Sequence, residues 1–278
     1  PWPGPRPRRP HSVELVASVP DGDLAREALA AGATRVLLRV SAAHEPEALP
    51  AGVTPLLSRV AHVDEVPTLL EYARASGAAA VGTLGLLASG ATDANRIEAD
   101  WPLNIANPWT AAALSELGAS LVWASPELSG RRLSALVESS PVPVGTLVAG
   151  RMELMIAEHC VLQVAGECAH RCLTCPRRAR AWLLRDQKGY EFPVITDATG
   201  RSRIYNSVPL DLTRALDEVV ATGVSAVRVE ITIESAEETR RMVSGVADAL
   251  ARVQAGGPPP AQALSSVTTS GHFFRGVR

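Results

Sequence analysis

Short apolar runs alternate with segments of helical period along nearly the whole chain. That alternation restricts the fold more than any other feature. Residues 13–19 (VELVASV) are a first apolar run. Residues 23–31 (DLAREALAA) follow at helical period, with Asp21 or Asp23 as cap and Gly32 as stop. Further strands are predicted at residues 35–40, 54–60, 79–83, 101–105, 120–124, 142–148 and 226–229. Helices are predicted at 64–76 (capped by Asp64), 108–117 (capped by Asn107, with Pro108 in its first turn), 129–139, 210–221 and 236–253. Eight strands, each mostly followed by a helix, in 278 residues match an α/β fold of (β/α)8 TIM-barrel type, which takes ~250 residues. A doubly wound open sheet is the alternative. No G-x-G-x-x-G follows the first strand, which argues against its dinucleotide-binding version.

Residues 150–176 (GRMELMIAEHCVLQVAGECAHRCLTCP) interrupt this pattern and hold all four cysteines: Cys160, Cys168, Cys172 and Cys175. The spacing is C-x7-C-x3-C-x2-C, closed by Pro176. Thiolates this dense suit a soft metal or a cluster. Two disulfides suit a small secreted domain better than a chain of this size, and buried free thiols are the other plain reading. Spacing alone leaves zinc and iron–sulfur both open. Residues 182–185, 189–196 and 203–205 are strand-like, with turns at Lys188-Gly189 and Thr199-Gly200. They predict a small β-hairpin elaboration beside the cysteines. An insertion after the seventh strand emerges on the face where barrel loops build active sites.

Hydrophobic residues make up 46% of the chain and aromatics only 4%, so the core must be aliphatic. The net charge of −2 gives the whole molecule no attraction for nucleic acid or an anionic membrane. No apolar run approaches the ~20 residues that span a bilayer. With no secretory signal visible, a cytoplasmic protein is expected. Residues 1–10 (PWPGPRPRRP) read as a disordered linker or the edge of a fragment. The barrel domain is expected over residues 11–255 with its insertion at 150–209. GGPPP then opens a linker and tail over 256–278.

Several stretches resemble peptidase family U32, the collagenase-like proteins. Glu14-Leu15-Val16-Ala17 and Ala31-Gly32-Ala33 resemble the opening strand and helix of the family's second half. The run from Ala99 to Pro108 (ADWPLNIANP) resembles its central Asn-containing strand, and Trp123-Ala124-Ser125-Pro126-Glu127 the next strand end. Gly150-Arg151-Met152-Glu153-Leu154-Met155 with Glu158-His159-Cys160 resembles the signature segment. Asp186 to Val194 (DQKGYEFPV) resembles the following hairpin, and Gly271 to Val277 (GHFFRGV) the closing motif. The resemblance implies a β/α barrel and a 4Fe–4S cluster on the four cysteines, with a zinc ion as the alternative. It further implies oxygen-independent hydroxylation of an aromatic precursor or an RNA base, with an electron donor or a paralogous family subunit as protein partner. Family members often place their last cysteine in the stretch matching residues 204–209, where this chain has none.

The family name points instead to a peptidase. The chain has neither H-E-x-x-H nor G-x-S-x-G, and Glu158-His159 beside Cys160 is the one local arrangement that resembles a thiol hydrolase. A non-catalytic binding protein with a structural zinc site is the third reading. Glu127, Arg151 and His159 are the candidate catalytic residues. Glu127 follows a strand and is equally placed to pair with Arg131. Arg151 suits a carboxylate or phosphate, or an internal salt bridge. Glu158 and His159 also suit a supporting role around the cysteines. Asn104, Asn107, His272 and Arg275 are candidate substrate contacts, although Asn107 also serves as a helix cap. The tail can close over the barrel mouth or dock Phe273 and Phe274 as a clamp. His170, Arg171, Arg177, Arg178, Arg180, Arg185 and Lys188 crowd one stretch, a basic surface suited to RNA phosphates or simply a solvated face.

Overall fold

The computed structural model describes residues 12–46, 49–89 and 94–276. The stretch read as a linker, residues 1–10, and Val277 of the closing motif lie outside the described residues. Seven parallel strands come first: β1 (Glu14–Val19), β2 (Arg35–Arg39), β3 (Val53–Leu57), β4 (Ala78–Val81), β5 (Arg96–Ala99), β6 (Ala119–Trp123) and β7 (Val144–Gly150). The helices between them are α1 (Gly22–Ala30), α2 (Val66–Ser76), α3 (Leu84–Ala88), α4 (Pro108–Glu116) and α5 (Gly130–Ser139). After β7 the chain builds β8 (Glu153–Ala157), β9 (Trp182–Arg185), β10 (Glu191–Thr196) and β11 (Ser202–Tyr205), then β12 (Leu210–Asp211). It returns through α6 (Leu216–Ala221) to β13 (Ala226–Glu230) and ends on α7 (Ala236–Gln254).

Each barrel strand pairs in parallel with its sequence neighbour, β13 joins β7 to β1, and β6 pairs with β7, so the eight strands close on themselves. This is the expected (β/α)8 barrel. The strands are almost wholly buried because their outward aliphatic side chains face the helices. Helix α7 presents Val243, Val246, Ala249 and Leu250 on one buried face, at helical spacing. It begins with a capping box in which Ser235 and Glu238 satisfy each other's backbone amides. Asp21 caps α1 by accepting from the Leu24 amide at 2.9 Å. Among the described residues no helix is long and apolar enough to cross a membrane.

Four local expectations need correction. The fifth strand lies at Arg96–Ala99 rather than 101–105. Asp100 takes the Trp101 amide at 2.8 Å and starts a 3-10 turn at Trp101–Leu103, and Asn104 leaves it with φ 52°. Helix α2 starts at Val66 behind Glu65, without a side-chain cap from Asp64. Residues 210–221 divide into β12, a 3-10 turn and α6, because Leu210 and Asp211 pair with Gly150 and Ala149 on β7. The insertion is more than a hairpin. Strand β8, within the stretch read only as a cysteine loop, pairs with β11 and completes a four-stranded antiparallel sheet in the order β8-β11-β10-β9.

Candidate functional site

The C-terminal ends of the barrel strands carry charge rather than aliphatic filling. Arg228 and Glu230 stand two apart on β13 and so share a side of the strand. Arg228 is 1% exposed; its Nη1 donates to Asp100 Oδ1 at 2.5 Å, and it is ion-paired with Glu230. Its guanidinium also stands 5.3 Å from the Trp123 ring centroid. Arg39, at the end of β2, donates to Glu230 at 2.8 Å and to the Ile231 carbonyl at 2.9 Å. Burial, offset in part by Arg228, holds the Asp100 carboxyl above its ordinary pKa. Buried ion pairs add little net stability, and buried charges with shifted pKa values gather at functional sites, which makes this cluster a candidate site. Arg35 and Glu98 form a further buried pair outside the mouth.

The insertion sheet lies over this mouth. Glu153 of β8 receives Arg59 from the barrel and Arg203 from β11, each at 2.8 Å. Arg201 reaches back to the barrel and grips Glu65 through both carboxylate oxygens, at 2.9 and 2.6 Å, while its Nε donates to Glu158 at 2.8 Å. Between barrel and insertion lies a cavity of about 710 Å³, bordered by Leu38, Leu69, Tyr72, Arg39, Arg203 and Tyr205. That volume falls within the range of small-molecule sites. Arg39, Arg203 and Tyr205 also border the narrower pocket at the barrel axis, together with Arg59, Arg151 and Asp100.

All four cysteines line a second cavity, of about 300 Å³, within the insertion. Each is partly buried and unbridged. Two arginines shape the loop. Arg178 donates to the carbonyls of Cys172 at 2.6 Å, Leu173 at 3.0 Å and Thr196 at 3.2 Å. Arg177 donates to Leu162 at 3.3 Å and Gly166 at 3.2 Å, and its own carbonyl accepts from the Trp182 indole at 2.9 Å. The turn at Gly200 (φ 91°) leaves room for the Cys172 sulfur, which would stand only 2.8 Å from any Cβ there. Burial, then the neighbouring sulfurs of Cys160 and Cys168, pushes the Cys172 thiol above its ordinary pKa. Among the described residues no three His, Cys, Asp or Glu side chains are already drawn together closely enough to hold an ion. The thiols surround a space rather than a point. Arg178 and Thr196 border both this cavity and the larger one, so the two spaces share a wall.

The other sequence candidates scatter. Arg151 does reach the mouth, where its Nη1 donates to the carbonyls of Asn206 at 2.9 Å and Ser207 at 2.6 Å. Glu127 is exposed, and its side chain pairs with no described residue, Arg131 included. His159 is exposed and outside the cavities, while Glu158 bonds to His62 at 3.0 Å and to Arg201. Asn107 caps α4, its Oδ1 accepting from the Thr110 amide at 3.0 Å, and Asn104 is exposed at its turn. Phe273 inserts against Gly130 at the start of α5, so the tail is fixed as a clamp on one side with His272 and Arg275 exposed. The sequence reading missed Arg39, Asp100, Arg203, Tyr205, Arg228 and Glu230. The available signal was charge at alternate positions inside otherwise apolar strands, as in RVLLRV and AVRVE.

The sequence matches the model of peptidase family U32 over residues 56–271. None of the curated protein sequences matches it. Among solved structures, a U32 peptidase is similar at 14% identity over 84% of this chain and 99% of its own, with a TM-score of 0.48. Thiamine phosphate pyrophosphorylase from Pyrococcus furiosus follows at 15% identity, 88% and 98% coverage and a TM-score of 0.41. The Bacillus megaterium spore cortex-lytic enzyme SleL is similar at 11% identity, 87% and 75% coverage and a TM-score of 0.39.

Proposed function

Because the chain belongs to peptidase family U32, we propose that it holds an iron–sulfur cluster of 4Fe–4S type on Cys160, Cys168, Cys172 and Cys175 and supports oxygen-independent hydroxylation of an aromatic substrate. One observation carries this reading: the cavity ringed by the four thiols shares Arg178 and Thr196 with the large cavity above the barrel mouth. Thiols spaced around a cavity suit a multi-atom cluster better than a single zinc ion, which draws its four ligands to one point. When bound, such a cluster would supply one-electron transfer; replacing a ring C–H by C–OH without O2 removes two electrons from the substrate, so the reaction needs an external oxidant, either an electron acceptor with water as the oxygen source or an oxygen-atom donor.

The chain's own residues do the rest. Arg177 and Arg178 fix the carbonyls of the cysteine loop, so the thiols keep their places around the cavity. Arg201 on Glu65 holds the insertion over the mouth. Arg39, Arg203 and Arg228, each balanced by a carboxylate, give the mouth fixed dipoles and charges that orient a polar ring compound. A small aromatic substrate is favoured over RNA. Arg177 and Arg178 spend donors on loop carbonyls and Arg185 is paired with Glu191, so the basic stretch presents fewer free donors to phosphates than its sequence suggests. Proteolysis has weaker support: among the described residues no histidine ring is hydrogen-bonded to a serine, threonine or cysteine side chain.

The deciding experiment is anaerobic purification followed by iron, sulfide and zinc analysis and a visible spectrum. Broad iron–sulfur absorption that disappears in Cys160→Ser or Cys175→Ser is the expected result. Stoichiometric zinc without iron under the same handling would overturn the redox reading and leave a structural zinc site.

A further inference from the structure

Tyr205 ends β11 facing the barrel, only 2% exposed, and borders both the axial pocket and the 710 Å³ cavity. Its hydroxyl hydrogen-bonds to none of the described residues. The hydroxyl is not among the side-chain atoms that are both sealed from solvent and unpartnered, so it opens on the cavity space, where a ligand can meet it. The charges that act on it are Arg39, Glu153, Arg203 and Glu230. Burial raises its pKa above that of an ordinary tyrosine, so the hydroxyl keeps its proton at neutral pH and is available as a donor. Leu38, Val40 and Leu69 supply an apolar wall nearby.

We propose that the Tyr205 hydroxyl is a substrate-binding donor, and that the junction of the two cavities takes a small aromatic ring bearing an acceptor oxygen, a phenolate or a carboxylate. The apolar wall receives the ring. The phenol, backed by the guanidinium groups of Arg39 and Arg203, receives the oxygen. This inference rests on the mouth being the substrate side of the proposed reaction, but it does not require the cluster to be present.

The test compares the full-length protein with Tyr205→Phe. Binding of 4-hydroxybenzoate is measured by calorimetry, with toluene as a ring that lacks the acceptor. The expected result is about tenfold weaker binding of 4-hydroxybenzoate by Tyr205→Phe, the loss typical of one hydrogen bond to a charged group. Toluene binding, melting temperature and iron content should not change. Equal affinity of both proteins for 4-hydroxybenzoate, or no binding by the wild type, would overturn the proposal. A melting temperature lowered by several degrees would do the same, because the hydroxyl would then serve the fold. Iron and sulfide content, read on the same samples, reports separately on the cluster. Wild-type protein that lacks iron yet binds the probe through Tyr205 would sink the redox reading and leave this one standing.

Discussion

Gly150 is the last residue of β7, the point where the chain leaves the barrel for the insertion. It sits at φ 108°, a conformation that side chains rarely tolerate. A Cβ there would stand 2.0 Å from the Glu230 carbonyl oxygen, which is backbone and cannot step aside. The close approach lets β7 pair with both β13 and β12 while Arg151 turns into the mouth. Gly150→Ala should therefore cost more than about 3 kcal/mol, combining backbone strain with a core clash. Urea unfolding checks this; a midpoint within experimental error of the wild type would mean that the strand ends can part freely. The sequence marked this glycine as the opening of a signature segment, but not why it must be glycine. That reason is a carbonyl 80 residues away. The charged mouth was hidden for the same reason: Arg39 meets Glu230 across 191 positions, and Arg228 meets Asp100 across 128. Each residue looked ordinary beside its sequence neighbours.

Elements were legible where period and caps agreed. The alternation located seven of the eight barrel strands and all the long helices, because each strand is a short apolar run bounded by turn residues. It failed at β5, where the apolar WPLNI attracted the assignment although Asp100 and Pro102 start a turn there. It also failed at β8, whose half-exposed ELMIA has no turn signal ahead of the cysteines. How the insertion is held to the barrel was not legible at all. The loop before α2 and the turn between β10 and β11 are joined by Glu65 and Arg201, the latter's side chain 5% exposed. Burial works against the Glu65 carboxylate, but hydrogen bonds from Arg201 and the His62 amide bring its pKa below the ordinary value. A depressed carboxyl stabilises the fold above its unfolded pKa and loses that effect as pH falls through the folded one. Glu65→Gln should cost about 2 kcal/mol at neutral pH, and its deficit relative to wild type should shrink below about pH 4. A double-mutant cycle with Arg201→Met, read by urea unfolding at both pH values, measures the coupling. No coupling at neutral pH would show that this contact does not hold the insertion down.

At the scale of the whole molecule, the barrel and the cysteine cavity are separate achievements of the chain. The barrel's core is a continuous aliphatic cluster of strands and helices, and none of the four cysteines belongs to it. The cysteine loop is held by arginine-to-carbonyl bonds and short 3-10 turns, with Leu162 its only wholly buried apolar side chain between Cys160 and Cys175. Local stability should follow that division, since regions with few buried apolar contacts open independently of the core. Replacing all four cysteines by serine should leave amide protection in β1, β7 and β13 within about 0.5 kcal/mol of wild type, as for substitutions outside a core. If the proposed cluster is bound there, exchange between residues 160 and 180 should accelerate at least about tenfold, because a group bound only by the folded loop adds to that loop's stability and the variant cannot bind it. Hydrogen exchange read by mass spectrometry on anaerobically prepared protein resolves both regions at once. If β7 and β13 lost protection together with the loop, the thiol site would be part of the barrel's own cooperative unit. The insertion would then be a structural closure of the eighth turn and not a module placed over a finished mouth.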